Sequence, residues 1–106
     1  MEWVDGLNRS IAYIESHLTE EIDYAALARL ACCSTYHYQR MFAYLAGVPL
    51  GEYIRRRRMS LAAVDLMAGE KVADAACKYG YQSPTAFNRA FQAVHGLAPS
   101  AVREPG

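Results

Sequence analysis

Residues 71–103 have the sequence KVADAACKYGYQSPTAFNRAFQAVHGLAPSAVR, and its pattern predicts two helices joined by a sharp turn. The first helix is rich in small apolar residues and ends at Gly80, which enters the left-handed backbone region without a Cβ clash. Ser83 offers a side-chain oxygen to free backbone N–H groups, and Pro84 needs no N–H at the first helical position. The Ser-Pro pair therefore predicts the start of the second helix.

The second of these helices has one apolar and one polar face. Phe87 and Phe91 lie on the apolar stripe, Gly96 ends the helix, and Pro99 begins a last short helical turn. A small-residue helix, a glycine turn and a half-polar second helix form the helix-turn-helix pattern, although any helical hairpin could share it. The polar face carries Thr85, Asn88, Arg89 and Gln92.

The first half of the chain follows the same plan. Residues from about 4 to 18 form an amphipathic helix, and Trp3 is expected to anchor it on the core. Asp23 caps a second helix that ends near Ala31, and Cys32-Cys33 forms the turn. The third helix begins after the cap Ser34, ends at Gly47, and is expected to direct four side chains into the core: Tyr38, Met41, Phe42 and Leu45.

A shift of 49 residues superimposes these two halves and indicates an internal repeat. The coinciding pairs are Ser34 with Ser83, Arg40 with Arg89, Phe42 with Phe91, Gly47 with Gly96 and Ala31 with Gly80. The sequence therefore predicts an all-α fold of about seven helices with two helix-turn-helix subdomains. These subdomains cover residues 1–48 and 70–106, the second including the start of a possible C-terminal linker, and a central linker helix over residues 49–69 joins them.

In DNA-binding proteins with the helix-turn-helix pattern, the second helix is the recognition helix, which enters the major groove. The predicted linker helix has the length to hold two such helices at nearly the spacing of successive major-groove faces. About eighteen helical residues span roughly 27 Å at ~1.5 Å per residue, whereas successive major-groove faces of B-DNA lie about 34 Å apart. Its four consecutive arginines, residues 55–58, point in four directions around the helix. We therefore expect only one or two of them, Arg56 included, to reach phosphate, and Arg58 to be structural.

Composition and charge limit the possible functions. Apolar residues make up 53% and charged residues 21% of 106 residues, which suits one globular domain. The net charge is zero, but residues 1–35 carry −4 and residues 36–60 carry +4, so one face suits a polyanion. Neither a membrane-length apolar run nor a signal-peptide core occurs in the sequence, and we expect a cytoplasmic protein.

Residue patterns of enzymes and metal sites are absent from the sequence. The three cysteines lack C-x-x-C spacing, the three histidines lack zinc-ligand spacing, and no GxSxG, P-loop or HExxH motif occurs. We therefore expect no enzyme activity, no cofactor and no metal. The alternative to nucleic-acid binding is a helical protein-interaction module with a tyrosine-rich face, which would leave the repeated outward arginine unexplained.

The stretch from residue 71 to 103 resembles the second half of the DNA-binding domain of the AraC/XylS family of bacterial transcription regulators. The family signature G-[FY], S, F-x-R-x-F, G and P is matched in register by Gly80-Tyr81, Ser83, Phe87, Arg89, Phe91, Gly96 and Pro99. The linker around Tyr53, Arg58 and Met59 is also similar to the family. The resemblance implies sequence-specific binding of double-stranded DNA and RNA polymerase as a partner. Two arrangements stay open, a small stand-alone activator or the N-terminal part of a longer protein whose effector domain follows, and we favour the second.

On the first recognition helix, the predicted outward stripe contains Tyr36, Gln39 and Arg40, the last two lying three and four residues after the first. Arginine and glutamine carry the donor patterns that suit guanine and adenine in the major groove. The resemblance assigns these three residues to the approach to bases, whereas the alternative is a solvated face with Arg40 in an internal ion pair. Thr35 and the cap Ser34 precede them at the helix N-terminus, which favours phosphate.

On the second recognition helix, Arg89 is the equivalent of Arg40 and of the arginine in the family signature. Thr85 and Asn88 are expected beside it as DNA contacts. Ser83 is primarily a cap, with a phosphate contact as its second role. Pro84 lacks an N–H group, so its backbone cannot donate to phosphate there.

Overall fold

The computed structural model describes residues 2–103, without the side chains of Glu2 and Arg103, and this range is all-helical. Its seven helices are α1 (Glu2–Ser16), α2 (Tyr24–Leu30), α3 (Thr35–Ala46), α4 (Leu50–Met67), α5 (Val72–Lys78), α6 (Pro84–His95) and α7 (Pro99–Arg103). The all-α prediction is confirmed. The chain forms two compact units, Met1–Ile54 and Arg55–Gly106, and the division falls inside α4.

In the first unit, the predicted helix caps are confirmed. The Asp23 carboxylate accepts a hydrogen bond from the Ala25 N–H at 2.9 Å, and α2 begins there. The Ser34 hydroxyl accepts from the His37 N–H at 3.1 Å at the start of α3. Gly47, with φ 80°, ends α3 in the left-handed conformation.

A buried hydrogen bond connects α1 with α3. The Ser10 hydroxyl donates its single proton to the Leu7 carbonyl at 2.6 Å, so the Tyr38 hydroxyl is the donor in the 2.8 Å bond between Ser10 and Tyr38. Both side chains are fully buried. This bond satisfies the only polar atom of the large Tyr38 ring, and it fixes which face of α3 is turned toward α1.

Two core expectations for the first unit are wrong. Trp3 is 48% exposed and Leu45 is 49% exposed, so neither side chain is a core anchor. On α3 the buried positions are Tyr38 and Phe42, four residues apart, and Leu45 lies at the edge of the stripe that they define. Leu45 instead lines a small apolar cavity of about 140 Å³ together with Leu7, Ile11, Phe42, Ala46 and Tyr53.

Gly6 allows α1 to approach the end of α2 closely. A Cβ atom at this position would lie 2.7 Å from the Leu30 carbonyl oxygen and 3.0 Å from the Ala31 Cα. Both neighbours are backbone atoms, which cannot move aside as the end of a flexible side chain can.

We predict that Gly6→Ala lowers the free energy of unfolding by about 1–3 kcal/mol, because the added methyl group overpacks the α1–α2 contact. In an exposed helix the same change would stabilise the protein by up to about 1 kcal/mol. Urea denaturation of the wild type, Gly6→Ala and the exposed control Asn8→Ala measures the difference. A more stable Gly6→Ala variant would show that the helices do not approach this closely.

The second unit has a core to which α4, α5 and α6 contribute. Met59, Ala62 and Leu66 come from α4, Ala75 and Ala76 from α5, and Phe87, Ala90 and Phe91 from α6, with Tyr79 just after α5. Small alanines on α5 leave room for the two phenylalanine rings, whose centroids lie 5.8 Å apart. The predicted end of α5 before Gly80 and the Ser83 cap of α6 are confirmed.

Asp65 connects α4 with the end of α5. Its carboxylate accepts hydrogen bonds from the Tyr79 hydroxyl at 2.6 Å and from the Lys78 ammonium at 3.0 Å, and Lys78 also pairs with Glu70 at 2.9 Å. Partial burial acts to raise the pKa of Asp65, but the bonds from Tyr79 and Lys78 outweigh it and lower this pKa below its usual 3.8. The folded protein therefore stabilises the ionised carboxylate.

We predict that Asp65→Ala lowers the free energy of unfolding by about 1–3 kcal/mol at pH 7, because the Tyr79 hydroxyl loses its charged acceptor. Since the folded pKa of Asp65 is lowered, its contribution is complete above pH 3.8 and is lost as pH falls through the folded value. Urea midpoints at pH 7 and pH 3 measure this difference. The exposed carboxylate Asp74 supplies the control, Asp74→Ala, and a pH-independent loss in Asp65→Ala would contradict the prediction.

Candidate nucleic-acid interface

Each unit contains a helix-turn-helix, and its turn is closed by the same pair of backbone hydrogen bonds. In the first unit, the Cys33 N–H donates to the Ala28 carbonyl at 3.0 Å and the Cys32 N–H donates to the Arg29 carbonyl at 3.1 Å. This 6→1 and 5→2 pattern is the Schellman motif, which requires a left-handed residue. Cys32 supplies it with φ 58°.

The second turn has the same bonds but is one residue longer. The Tyr81 N–H donates to the Ala76 carbonyl at 2.9 Å and the Gly80 N–H donates to the Cys77 carbonyl at 3.1 Å, with φ 84° at Gly80. The counterpart of Gly80 is therefore Cys32, and the predicted pairing of Ala31 with Gly80 is wrong. A constant shift cannot accommodate the extra residue between Gly80 and the Ser83 cap.

We predict that two single substitutions, each of which places in one turn the left-handed residue of the other, change stability in opposite directions. Cys32→Gly removes a Cβ clash in the turn and raises the free energy of unfolding by about 0.5–1 kcal/mol, whereas Gly80→Cys lowers it by about 1–2 kcal/mol. Cys32 is exposed, so its removal empties no core space. Thermal unfolding of both variants measures the changes. Destabilisation by Cys32→Gly would show that the thiol contributes more than the strain costs.

The outward face of α3 presents a paired arginine and tyrosine. Tyr38 and Phe42 are buried, while Gln39 and Arg40 are exposed and Tyr36 is 69% exposed. The Arg40 Nη1 donates a hydrogen bond to the Tyr36 hydroxyl at 2.9 Å, and its Cζ lies 5.6 Å from the Tyr36 ring centroid. The tyrosine therefore holds the guanidinium while leaving its other donors for a ligand.

The outward face of α6 presents a different pair. Thr85, Asn88, Arg89 and Gln92 are all exposed, as predicted from their spacing. The Gln92 Nε2 donates to the Asn88 Oδ1 at 2.8 Å. Among the side chains that the structure describes, none forms a hydrogen bond or ion pair with the exposed side chain of Arg89, which has five N–H donors.

The other predicted contacts lie at the helix N-termini and on α4. The Ser34 and Ser83 hydroxyl oxygens accept hydrogen bonds from the His37 and Ala86 N–H groups, respectively. Thr35 is half-buried at the first position of α3. Arg56 is exposed on α4 and directly follows Arg55, the residue at which the second unit begins. Arg58 and Arg55 instead lie near Tyr81, where they oppose the rise that burial causes in the pKa of this phenol.

Tyr44 is a surface residue that the sequence patterns did not indicate. It is 87% exposed and follows Arg40 by one helical turn, so Tyr36, Arg40 and Tyr44 form a continuous outward row on α3. The i, i+4, i+8 spacing from Tyr36 was a signal that could have found it. An exposed phenol at this place can donate to phosphate or contact a base.

Metal sites and membrane spans are absent from the part of the chain that the structure describes. No group of three or more His, Cys, Asp or Glu side chains there could hold a metal ion. None of the helices there has both the length and the apolar character that a membrane span requires.

The chain is similar in sequence to a helix-turn-helix family and to transcription regulators. A family model described as "Helix-turn-helix domain" matches residues 27–105. The HTH-type transcriptional activator AarP of Providencia stuartii is 37% identical over 98 residues, which cover 92% of this chain and 73% of AarP. Regulatory protein SoxS of Escherichia coli K12 is 36% identical over 94 residues, which cover 88% of this chain and 88% of SoxS.

Longer relatives and solved structures share the same domain. The uncharacterized HTH-type transcriptional regulator YbfP of Bacillus subtilis is 32% identical over 97% of this chain, which spans only 35% of YbfP. The DNA-binding domain of AdpA, solved in complex with a target DNA, has a TM-score of 0.83 and 29% identity, covering 93% of this chain and 90% of that one. An AraC-type regulator from Chromobacterium violaceum has a TM-score of 0.84 at 18% identity, with 95% of each chain covered, which shows the shared fold.

Proposed function

This chain belongs to the AraC/XylS family of transcription regulators, which bind DNA sequence-specifically, and we propose that α3 and α6 are its two recognition helices. Each helix enters a segment of the major groove, and the two segments are adjacent on one duplex. Because both helices belong to one chain, a single molecule binds a site without two-fold symmetry. The functional division follows residues 1–48, 49–69 and 70–106 as first subdomain, linker and second subdomain.

The observation that carries this proposal is the outward arginine on each recognition helix. Arg40 and Arg89 are the only Lys or Arg residues of α3 and α6, and both occupy the face opposite the buried aromatic residues. A guanidinium fits the O6 and N7 acceptors of guanine, and each such contact discriminates bases by about 1–3 kcal/mol. The recurrence of one arginine at the same place supports a shared role in base recognition.

The remaining contacts divide into base recognition and phosphate binding. Tyr36 positions Arg40, and Gln39 lies beside them on α3. Thr85 and Asn88 have the corresponding place beside Arg89 on α6. Residues at the helix N-termini and on α4 bind phosphate, which supplies affinity without sequence information: they are Ser34, Thr35, Ser83 and Arg56.

The test is selection of a binding site from a randomised duplex pool, followed by fluorescence-anisotropy titration at two salt concentrations. We expect an enriched site about two helical turns long. Arg40→Ala and Arg89→Ala should each weaken binding to it by roughly 5- to 150-fold, because each removes a guanine contact. Arg9→Ala, which removes an exposed arginine from α1, is the matched control and should change binding little.

The opposite result would favour the protein-interaction module. Weak, salt-sensitive binding without an enriched sequence would mean that the arginines form only an electrostatic patch. The exposed rings of Tyr36 and Tyr44 together with Leu45 would then be candidates for a protein contact on the first unit.

We propose the cellular location and the partners of the DNA-binding domain from its family. A regulator that binds the bacterial chromosome acts in the cytoplasm, and contact with RNA polymerase is the means by which we propose it changes transcription. AarP is named as a transcriptional activator, which supports this view. We also propose an effector domain in a longer protein, and YbfP, of which this chain spans 35%, is a relative with such additional length. We propose a role in binding rather than in catalysis.

A further inference from the structure

Gln92 lies on the outward face of α6, one helical turn after Asn88. Its Nε2 donates a hydrogen bond to the Asn88 Oδ1 at 2.8 Å. A glutamine amide has two N–H donors and a carbonyl oxygen, so this bond uses one donor only. One N–H and the carbonyl oxygen of Gln92 are left for a ligand, and they lie side by side on the same amide.

The bond to Asn88 also decides how the amide is oriented. The terminal torsion of a free glutamine is broad, so the positions of its oxygen and nitrogen exchange readily. An acceptor that holds the Nε2 fixes this orientation before any ligand binds, which reduces the entropy lost on binding. The remaining donor and acceptor of Gln92 are therefore presented in a defined order.

Adenine is the base whose major-groove edge matches this order. It offers N7 as acceptor and the N6 amino group as donor, and a glutamine amide can satisfy both at once. Guanine offers two acceptors, N7 and O6, and the glutamine carbonyl oxygen would face one of them without a proton between them. The Gln92 amide, held by Asn88, thus favours adenine over guanine.

We propose that Gln92 is a specificity-determining residue that recognises an adenine in the major groove, and that Asn88 is the residue that positions its amide. This inference rests on the DNA-binding function proposed above for α6, and it adds the base that this helix selects.

The first unit has no glutamine at the position that corresponds to Gln92. The shift of 49 residues that aligns the two recognition helices places Ala43 of α3 at the position of Gln92, and a methyl group cannot form these hydrogen bonds. On α3 the positioned group is instead the Arg40 guanidinium, held by Tyr36. The two parts of the binding site therefore differ chemically, because α6 adds the adenine contact of Gln92 to the guanine contact proposed for each helix, and the two ends of the site are not equivalent.

The experiment uses the whole chain and the enriched duplex from the selection described above. Each adenine of the site is replaced in turn by guanine, or by 7-deazaadenine, which lacks the N7 acceptor. We expect one adenine at which either replacement weakens wild-type binding by roughly 5- to 100-fold, while Gln92→Ala loses most of this discrimination. Asn8→Ala, a truncation of an exposed asparagine on α1, is the control and should retain the full discrimination between adenine and its replacements.

The role of Asn88 is tested by the ratio of the affinities for the adenine and the guanine duplex, rather than by either affinity alone. Asn88→Ala should reduce the adenine-to-guanine ratio, because the Gln92 amide is no longer held. Asn88→Asp keeps an oxygen that accepts from Nε2, so it should restore the ratio even though its negative charge weakens overall binding to DNA.

Three results would overturn the inference. Full adenine discrimination in Gln92→Ala at every position would remove the role of Gln92. An unchanged ratio in Asn88→Ala would remove the positioning role of Asn88. Both leave the proposed function intact if Arg40→Ala and Arg89→Ala still weaken binding to the enriched site. Failure to enrich any site would reject the proposed function, and the adenine contact with it.

Discussion

The left-handed residue at the end of α2 and of α5 is the constraint on which each unit depends. At Cys32 and Gly80 the chain leaves one helix, and the Schellman hydrogen bonds fix the direction in which it leaves. Ser34 and Ser83 then start the next helix within a few residues. A different backbone conformation at the turn would redirect the whole recognition helix, since no long loop absorbs the change.

The cores of the units decide which face of each recognition helix meets solvent. Tyr38, buried and bonded to Ser10, orients α3, and the buried rings of Phe87 and Phe91 orient α6. Arg40 and Arg89 are exposed because they lie on the opposite faces of these helices. Stability and the proposed recognition therefore depend on one packing arrangement in each unit, and a core substitution that rotates a helix would move the face that we propose binds DNA.

The two units share a plan but present different chemistry. Arg40 is held by a tyrosine, whereas Arg89 has no such partner within residues 2–103, and its neighbour Asn88 holds Gln92 instead. Equivalent positions on a repeated scaffold thus carry groups with different hydrogen-bonding patterns. In the binding mode that we propose, this difference allows one chain to recognise a site whose two parts are unlike.

The sequence by itself determined the helices, their caps and the outward position of both arginines, because these depend on local backbone chemistry and on helical periodicity. Only the tertiary structure decided the rest. Gly6 faces the Leu30 carbonyl, Trp3 and Leu45 remain half-exposed, and the second turn is one residue longer than the first. The side-chain pairs on α3 and α6 also depend on rotamers that spacing does not specify. Each of these features depends on atoms of another helix or on side-chain torsions, and the pattern of a single segment contains neither.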